Sequence, residues 1–467
     1  MLIEQPRHMW LGTVVRSRHQ LSMTYGIDDL RFETAYWYND VDLLALETVH
    51  GQAFMQKIYF HIHVMEAGKL VSLYPQTFNL GEFARFHTPA FEQLWRTIIH
   101  KVWGQWRYRH QKPDYHGPVF SSRPDESVNA QPVTPVTGDT EVLAFCGGGK
   151  DSLVGMKLLE RAGMPYATFA YSNSLYGRAE FQHGLIAQLT RQNSPTQQHQ
   201  LRAYDSFVDA PVLQAYPGIK EIIAAETPTS LFAALPVMLQ HRYRYMVLAH
   251  ERSANTGNLI WAETGEDINH QWGKSYAAEQ LLNQYIQTEF ITNCAYFSIL
   301  QPVYDAVIFN LLRRDEDLIT ATHSCNIQKP WCCRCPKCAY VWLNYMAYLD
   351  IDKVRHMFPE NLFDSEANQP WFYQMLGLGE HTPFECIGQV EETRLAFELC
   401  RRKGITGKAM DMYYHHFPHL DVEPILARYL SVDMAQSGIP PALAERIEAG
   451  LEQAAASGRR YVRAFCP

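Results

Sequence analysis

An α/β protein with a parallel-sheet core, an N-terminal α+β part and a helical C-terminal part is what the sequence predicts. Three observations carry this. From Thr140 onward, short apolar runs at Val142–Phe145, Tyr166–Ala170 and Tyr245–Leu248 alternate with helical patterns, as in a parallel sheet. A glycine run, Gly147-Gly148-Gly149, joins the first of these strands to a helix carrying Leu153, Val154, Met156, Leu158 and Leu159. After Cys338 the pattern becomes mainly helical, from Tyr340 to the end.

Taken in order, residues 27–88 alternate in the manner of strands. Phe32 to Tyr38 and Ile58 to Val64 are rich in β-branched and aromatic residues and are expected as strands. Phe91 to Arg109 reads as one helix, with Leu94, Ile98, Val102 and Trp106 at four-residue spacing. Its Trp95, Trp103 and Tyr108 are read as core packing, not as a base-stacking platform. Ser121 to Asp139, with Pro124, Pro132 and Pro135, is the expected linker. The predicted organisation is therefore an α+β domain over 1–120, a linker over 121–139, an α/β domain over 140–345 and a helical region over 346–467. Gly163, Gly218 and Gly404 read as turn glycines.

Composition narrows the function. The 467 residues are 47% hydrophobic and 19% charged, which predicts a packed globular protein. The net charge of −8, without a long basic tract, argues against a broad nucleic-acid binder. No apolar run is long enough for a membrane span, and charges and histidines from Met1 to Gln20 argue against a signal peptide. Five of the ten cysteines fall between Cys325 and Cys338, which favours metal ligation in a reducing, cytoplasmic setting over a disulfide framework. Oligomeric state leaves no trace in the sequence.

The strand–glycine–helix segment Cys146-Gly147-Gly148-Gly149-Lys150-Asp151-Ser152 has the make-up of a phosphate cradle. Glycines let backbone N–H groups approach an anion, and a helix N-terminus adds partial positive charge. Ser152 offers a hydroxyl and Lys150 a point charge. It is not a Walker loop, because Asp151 follows Lys150 where Ser or Thr is needed. It resembles the SGGxDS signature of the PP-loop ATP pyrophosphatases, of adenine nucleotide alpha hydrolase-like fold, with Cys146 and Gly147 where a serine is usual. That resemblance implies that residues 146–152 hold ATP and that AMP is transferred to a substrate oxygen.

A second signal is Cys325-x6-Cys332-x2-Cys335-x2-Cys338, the spacing of a closed tetrahedral zinc–thiolate site. Four thiolates leave no position for water, so the zinc is expected to be structural. Cys333 is the odd thiol, and Lys329, Arg334 and Lys337 are expected to offset the thiolate charge. A PP-loop followed by such a cluster is similar to 7-cyano-7-deazaguanine synthase, which adenylates a carboxylate.

Two further segments point elsewhere. They are His250-Glu251-Arg252-Ser253-Ala254-Asn255 with Asn269-His270-Gln271-Trp272-Gly273-Lys274-Ser275, and His381-x-Pro383-Phe384-Glu385-Cys386-x-Gly388 with Glu391 and Glu392. With the glycine loop and the cysteine cluster, they resemble the UDP-N-acetylmuramoyl-L-alanyl-L-glutamate epimerase family from about Thr140 to about Arg394. The resemblance implies an ATP- and Mg²⁺-dependent, AMP-forming epimerase of peptidoglycan precursor synthesis, acting on a UDP-sugar peptide. It implies roles for Asp151 toward Mg²⁺ and for Arg252, Lys274 and Lys150 toward phosphate or carboxylate charge. His250, His270, Glu385 and Cys386 stand as candidates for proton transfer. Taken singly, His250 reads as a strand-end cap, Trp272 as core, Cys386 as a buried thiol and the two glutamates as a solvated helix face. A deazapurine-adenylating synthase and a non-enzymatic nucleotide-binding zinc module are the alternatives. Pyrophosphate release and acceptor dependence separate them.

Overall fold

Tyr245-Met246-Val247-Leu248 shows how the sequence builds the central layer. The computed structural model, which describes residues 7–121, 128, 130–172 and 176–466, buries all four side chains. Tyr245 and Val247 enter one hydrophobic core and Met246 and Leu248 the other. Val142, Leu143 and Ala144 alternate in the same way. Apolar residues on both faces of a strand demand cover on both sides, which is the condition for a parallel sheet flanked by helices.

The strands are β1 (His8–Arg16), β2 (Gln20–Ile27), β3 (Leu30–Tyr38), β4 (Thr77–Asn79), β5 (Val119–Phe120), β6 (Val142–Phe145), β7 (Tyr166–Tyr171), β8 (Gln198–Asp205), β9 (Tyr245–Leu248), β10 (Leu259–Ile260), β11 (Asp267–Ile268) and β12 (Ala295–Ser298). Ten of them form one sheet in the order β12-β9-β6-β7-β8-β3-β2-β1-β4-β5. β12, β9, β6, β7 and β8 run parallel. β8 then pairs antiparallel with β3, opposite the meander β1–β3. The predicted strands at 142–145, 166–170 and 245–248 are therefore present, and the sheet runs without a break from the first part of the chain into the parallel half. Part of the expected linker, residues 122–127 and 129, lies outside the described residues. Val133 within it is pinned to the strand approach, donating to Phe290 O at 2.8 Å and accepting from Thr292 at 3.0 Å.

Two expectations need correction. Ile58 to Val64 is not a strand but part of the helix Gln52–Ala67. Thirteen residues of that helix are buried, Lys57, His61, His63 and Glu66 among them, so no exposed polar stripe marks its helical period. The single helix expected over 91–109 is two, Pro89–Val102 and Gly104–His110, divided at Trp103. Thr88 caps the first, accepting from Phe91 N at 3.1 Å. Trp95 and Trp103 are each 2% exposed or less, as core packing requires, whereas Tyr108 is only half-buried, against Trp261, His381 and Phe384.

The C-terminal region is helical, with Pro336–Tyr348, Val390–Arg402 and Pro441–Phe465 completing the core on the face that carries Lys150–Arg161. Among the described residues, no helix is long and apolar enough to cross a membrane. Strand order reverses beside β6: β7 and β8 lie to one side, β9 and β12 to the other. The crevice at the carboxyl ends of β6 and β9 is where an open α/β sheet binds its ligand.

Candidate active site

Cys146 to Gly149 leave β6 at that crevice, and the helix Lys150–Arg161 begins immediately after. Gly148 has φ +81°, and a Cβ there would lie 1.8 Å from His323 Cε1. Only glycine satisfies both conditions. The Ser152 hydroxyl accepts from Gly147 N–H at 3.1 Å, and Ser324 Oγ accepts from Lys150 N–H at 3.3 Å. The Lys150 ammonium is 1% exposed and lies between Asp151 (2.5 Å) and Asp305 (2.6 Å). It faces the core, above the Phe309 ring, so the point charge expected at the phosphates is instead tied to two carboxylates. Burial would raise the Asp151 carboxyl, but Lys150, Lys337 and Lys274 hold it below its ordinary value.

A cavity of about 640 Å³ opens over the loop. Its walls carry Cys146 and Gly147 from the loop and His250, His270, Lys274, Glu385 and Cys386 from the two later segments. The ligand atoms of His270, Glu385 and Cys386 lie within 4.8 Å of one another. Lys274 Nζ donates to Cys386 Sγ at 2.9 Å. His270 Nδ1 meets Gln105 Oε1 at 2.5 Å, leaving its other nitrogen for the thiol. Glu385 is oriented by Asn326, which donates at 2.8 Å, and by the Cys386 N–H at 2.7 Å. Burial alone would raise the Cys386 thiol; Lys274 and His270 bring it down to about 7. Burial disfavours charge on His270, but Cys386 and Glu385 outweigh it and raise the imidazole. The result is a thiol eased toward ionisation, an imidazole eased toward protonation and a lysine in contact inside one cavity. His250 differs: burial and the nearby Lys274 lower it to about 3, so it is neutral.

The structure explains why the segments belong together. Asn269 donates to Ala254 O at 2.8 Å, Gln271 to Ile387 O at 3.0 Å and Gln389 to Ser253 O at 3.3 Å. Gln301 donates to the Lys274 carbonyl at 2.8 Å. Arg252 is not brought into the cavity wall. It pairs with Asp433 at 2.5 Å and lies over the Tyr304 ring. Glu392 is not on a solvated face either: it is 2% exposed and accepts from Gln389 N–H, Ala306 N–H and the Ser253 hydroxyl.

The four cysteines also converge. Cys325 and Cys335 sulfurs lie 3.8 Å apart, Cys332 and Cys338 sulfurs 3.9 Å apart, and all four within 4.8 Å. Sulfurs about 2.3 Å from one zinc stand roughly 3.8 Å apart in a tetrahedron. The fit is close. Cys333 turns away at φ +61° and is not part of the group. Lys337 does not offset the thiolates: its Nζ donates to the Cys386 carbonyl.

Sequence reasoning missed Lys337, Asn326, Gln105, Tyr176 and Glu226. Tyr176 and Glu226 share a hydrogen bond in the cavity wall, and Gln105 reaches it from the helix Gly104–His110. Lys337 lies inside the cysteine cluster, where its charge is expected to offset the thiolates, and Asn326 lies beside Cys325. No motif marks the other three.

A glycine turn facing an activated thiol, an imidazole and a lysine across one cavity defines an α/β enzyme equipped for acid–base chemistry. Comparison with known proteins narrows this. A family model described as the MurL N-terminal domain matches residues 228–299, and the MurL C-terminal domain model matches residues 320–410. A UDP-N-acetyl-alpha-D-muramoyl-L-alanyl-L-glutamate epimerase from a Micromonospora species is 30% identical over 322 residues, 66% of this chain and 67% of the relative. Enzymes of the same name from Salinispora tropica (30% over 323 residues, 67% and 66% of the two chains) and Xanthomonas oryzae pv. oryzae (27% over 363 residues, 74% and 76%) match similarly. No solved structure matches. The chain belongs to this epimerase family, and is an enzyme of the isomerase class.

Proposed function

We propose that the chain epimerises the terminal L-glutamate of UDP-N-acetylmuramoyl-L-alanyl-L-glutamate, an ATP-dependent, AMP-forming step of peptidoglycan precursor synthesis. The observation that carries this is the single cavity shared by Cys146 and Gly147 of the glycine loop and the cluster of His270, Lys274, Glu385 and Cys386. The names of the relatives supply the substrate class.

A free carboxylate resists loss of the neighbouring α-proton, because its charge opposes carbanion formation. Attack of a carboxylate oxygen on the α-phosphorus of ATP expels pyrophosphate and leaves an acyl adenylate. That charge is then gone, and the α-proton is within reach of a side-chain base. Backbone N–H groups of Gly147 to Gly149 and the Ser152 hydroxyl hold the phosphates. Asp151, kept ionised by its lysines, is the residue to hold Mg²⁺, which shields phosphate charge. The Cys386 thiolate takes the α-proton and Lys274 and His270 stabilise the thiolate. Return of a proton to the opposite face inverts the centre, and water cleaves the anhydride to give AMP. Cys325, Cys332, Cys335 and Cys338 would hold a structural zinc, and His323 and Ser324, next to Cys325, contact the glycine loop through Gly148 O and Lys150 N–H.

The test is turnover in D₂O with ATP and Mg²⁺. The expected product is the D-glutamyl compound carrying α-deuterium, with AMP and pyrophosphate in step. ADP formation, or inversion without ATP, would refute the reading.

A further inference from the structure

Away from the cavity, at the amino ends of the parallel strands, three donors from three elements converge. Asp40 follows β3, His199 lies in β8, and His241 ends the helix Glu226–His241. Their ligand atoms lie within 4.8 Å of one another. His199 Nδ1 is 2.7 Å and His241 Nε2 is 3.4 Å from Asp40 Oδ2. Donors bound at about 2.0–2.1 Å to one ion stand roughly 2.9–3.4 Å apart, so these separations need only small adjustment.

The surroundings prepare His199 for this. Its Nε2 meets Tyr243 Oη at 2.6 Å, and the same hydroxyl donates to Gln197 Oε1 at 3.2 Å. Without a metal, Nδ1–H donates to Asp40. When Nε2–H donates to the tyrosine oxygen, whose own proton goes to Gln197, Nδ1 presents its lone pair beside Asp40 for an ion. A hydrogen bond that fixes the tautomer of a histidine is what a metal ligand requires of its neighbours. Asp40 Oδ1 is buried without a hydrogen-bond partner, and His241 Nε2 has only its long approach to Asp40 Oδ2. The two imidazoles lie 4.2 Å apart, centroid to centroid, so charging both is costly. An ion lets both stay neutral while satisfying the carboxylate.

We infer that Asp40, His199 and His241 form a divalent-metal site, separate from the four thiols and from the cavity. Two imidazoles and one carboxylate suit a borderline ion such as Zn²⁺ or Co²⁺. Asp40 keeps 35% of its side chain exposed, which gives the ion an entry and room for water as a further ligand. The ion would tie the end of the N-terminal meander to β8 and to the helix Glu226–His241.

The experiment uses the full chain, freed of metal, given one equivalent of Zn²⁺ per chain, which the four thiols take first, and then titrated with Co²⁺. The expected result is an added cobalt ion with weak visible d–d bands and no thiolate charge-transfer absorption. His241→Ala and Asp40→Asn should lose that ion while melting, metal-free, like the wild type. Tyr243→Phe should keep it but bind about 10-fold or more weakly, because the tautomer is no longer fixed. A wild-type chain that takes up no cobalt at micromolar concentration overturns the inference. So does uptake unchanged in Asp40→Asn, or uptake carrying a thiolate signature.

Discussion

Cys386 illustrates how a residue acquires chemistry from its setting. An ordinary thiol would be mostly protonated at neutral pH, and burial would worsen that; Lys274 and His270 reverse it. Two outcomes follow. Cys386→Ala should retain AMP formation but lose α-hydrogen exchange by about 10²–10⁴-fold, measured by deuterium incorporation. Exchange should also rise as pH passes through about 7, where the thiolate forms, and Lys274→Gln should move that rise to higher pH, because the thiolate loses its stabilising cation. Gly148 gives a third expectation. Alanine there would meet both the positive φ and the His323 ring, so Gly148→Ala should abolish pyrophosphate release, measured directly, where Gly147→Ala, with no atom within 4 Å of its added Cβ, is far milder. The backbone need for glycine was legible in the sequence; the imidazole pressed against it was not, since His323 and Gly148 meet only through the fold.

At the scale of elements, the cysteine knuckle and the glycine turn form one unit. His323 N–H donates to Gly148 O at 3.0 Å, and Ser324 accepts from Lys150 N–H, two residues and one residue before Cys325. Cys335→Ser should therefore lose zinc and also weaken ATP turnover, whereas Cys333→Ser should do neither; metal analysis and pyrophosphate release check both. A buried glutamate in the helix Tyr276–Glu289 supplies a pH test. Burial raises Glu279 to about 8, with only partial relief from Ser298 N–H. Its unfolded carboxyl ionises near pH 4.5 but its folded one does not, so stability falls as pH rises from about 4.5 to about 8. Urea melts of Glu279→Gln should show that fall reduced, with the variant gaining on wild type as pH rises. The parallel strands were legible because alternate side chains enter two cores over short, glycine- and helix-bounded runs. The helix Gln52–Ala67 was not: a helix buried on every side has no polar stripe to reveal its period. Arg252 was misplaced for a related reason, since a motif shows which residues travel together and not which way each side chain turns.

For the whole molecule, the continuous sheet is the governing feature. β8 has β7 on one side and β3 on the other, so the N-terminal meander covers what would otherwise be an open edge. Removing residues 1–120 should bare that edge and take Gln105 from His270, giving an insoluble or inactive chain by size-exclusion chromatography and exchange assay. Catalytic grouping across such distances was legible only where motifs were long; Gln105 belongs to a region without one. The same span has a consequence for how the protein is made. The cavity draws its walls from Val102 to Cys386, with the glycine turn between. On the ribosome the Gln105 wall emerges first, the turn next and the thiol last. A nascent chain that has exposed its glycine turn still lacks Glu385 and Cys386, and lacks the cysteine knuckle that supports the turn from behind. The order of synthesis thus withholds a finished cavity until Cys386 has left the ribosome.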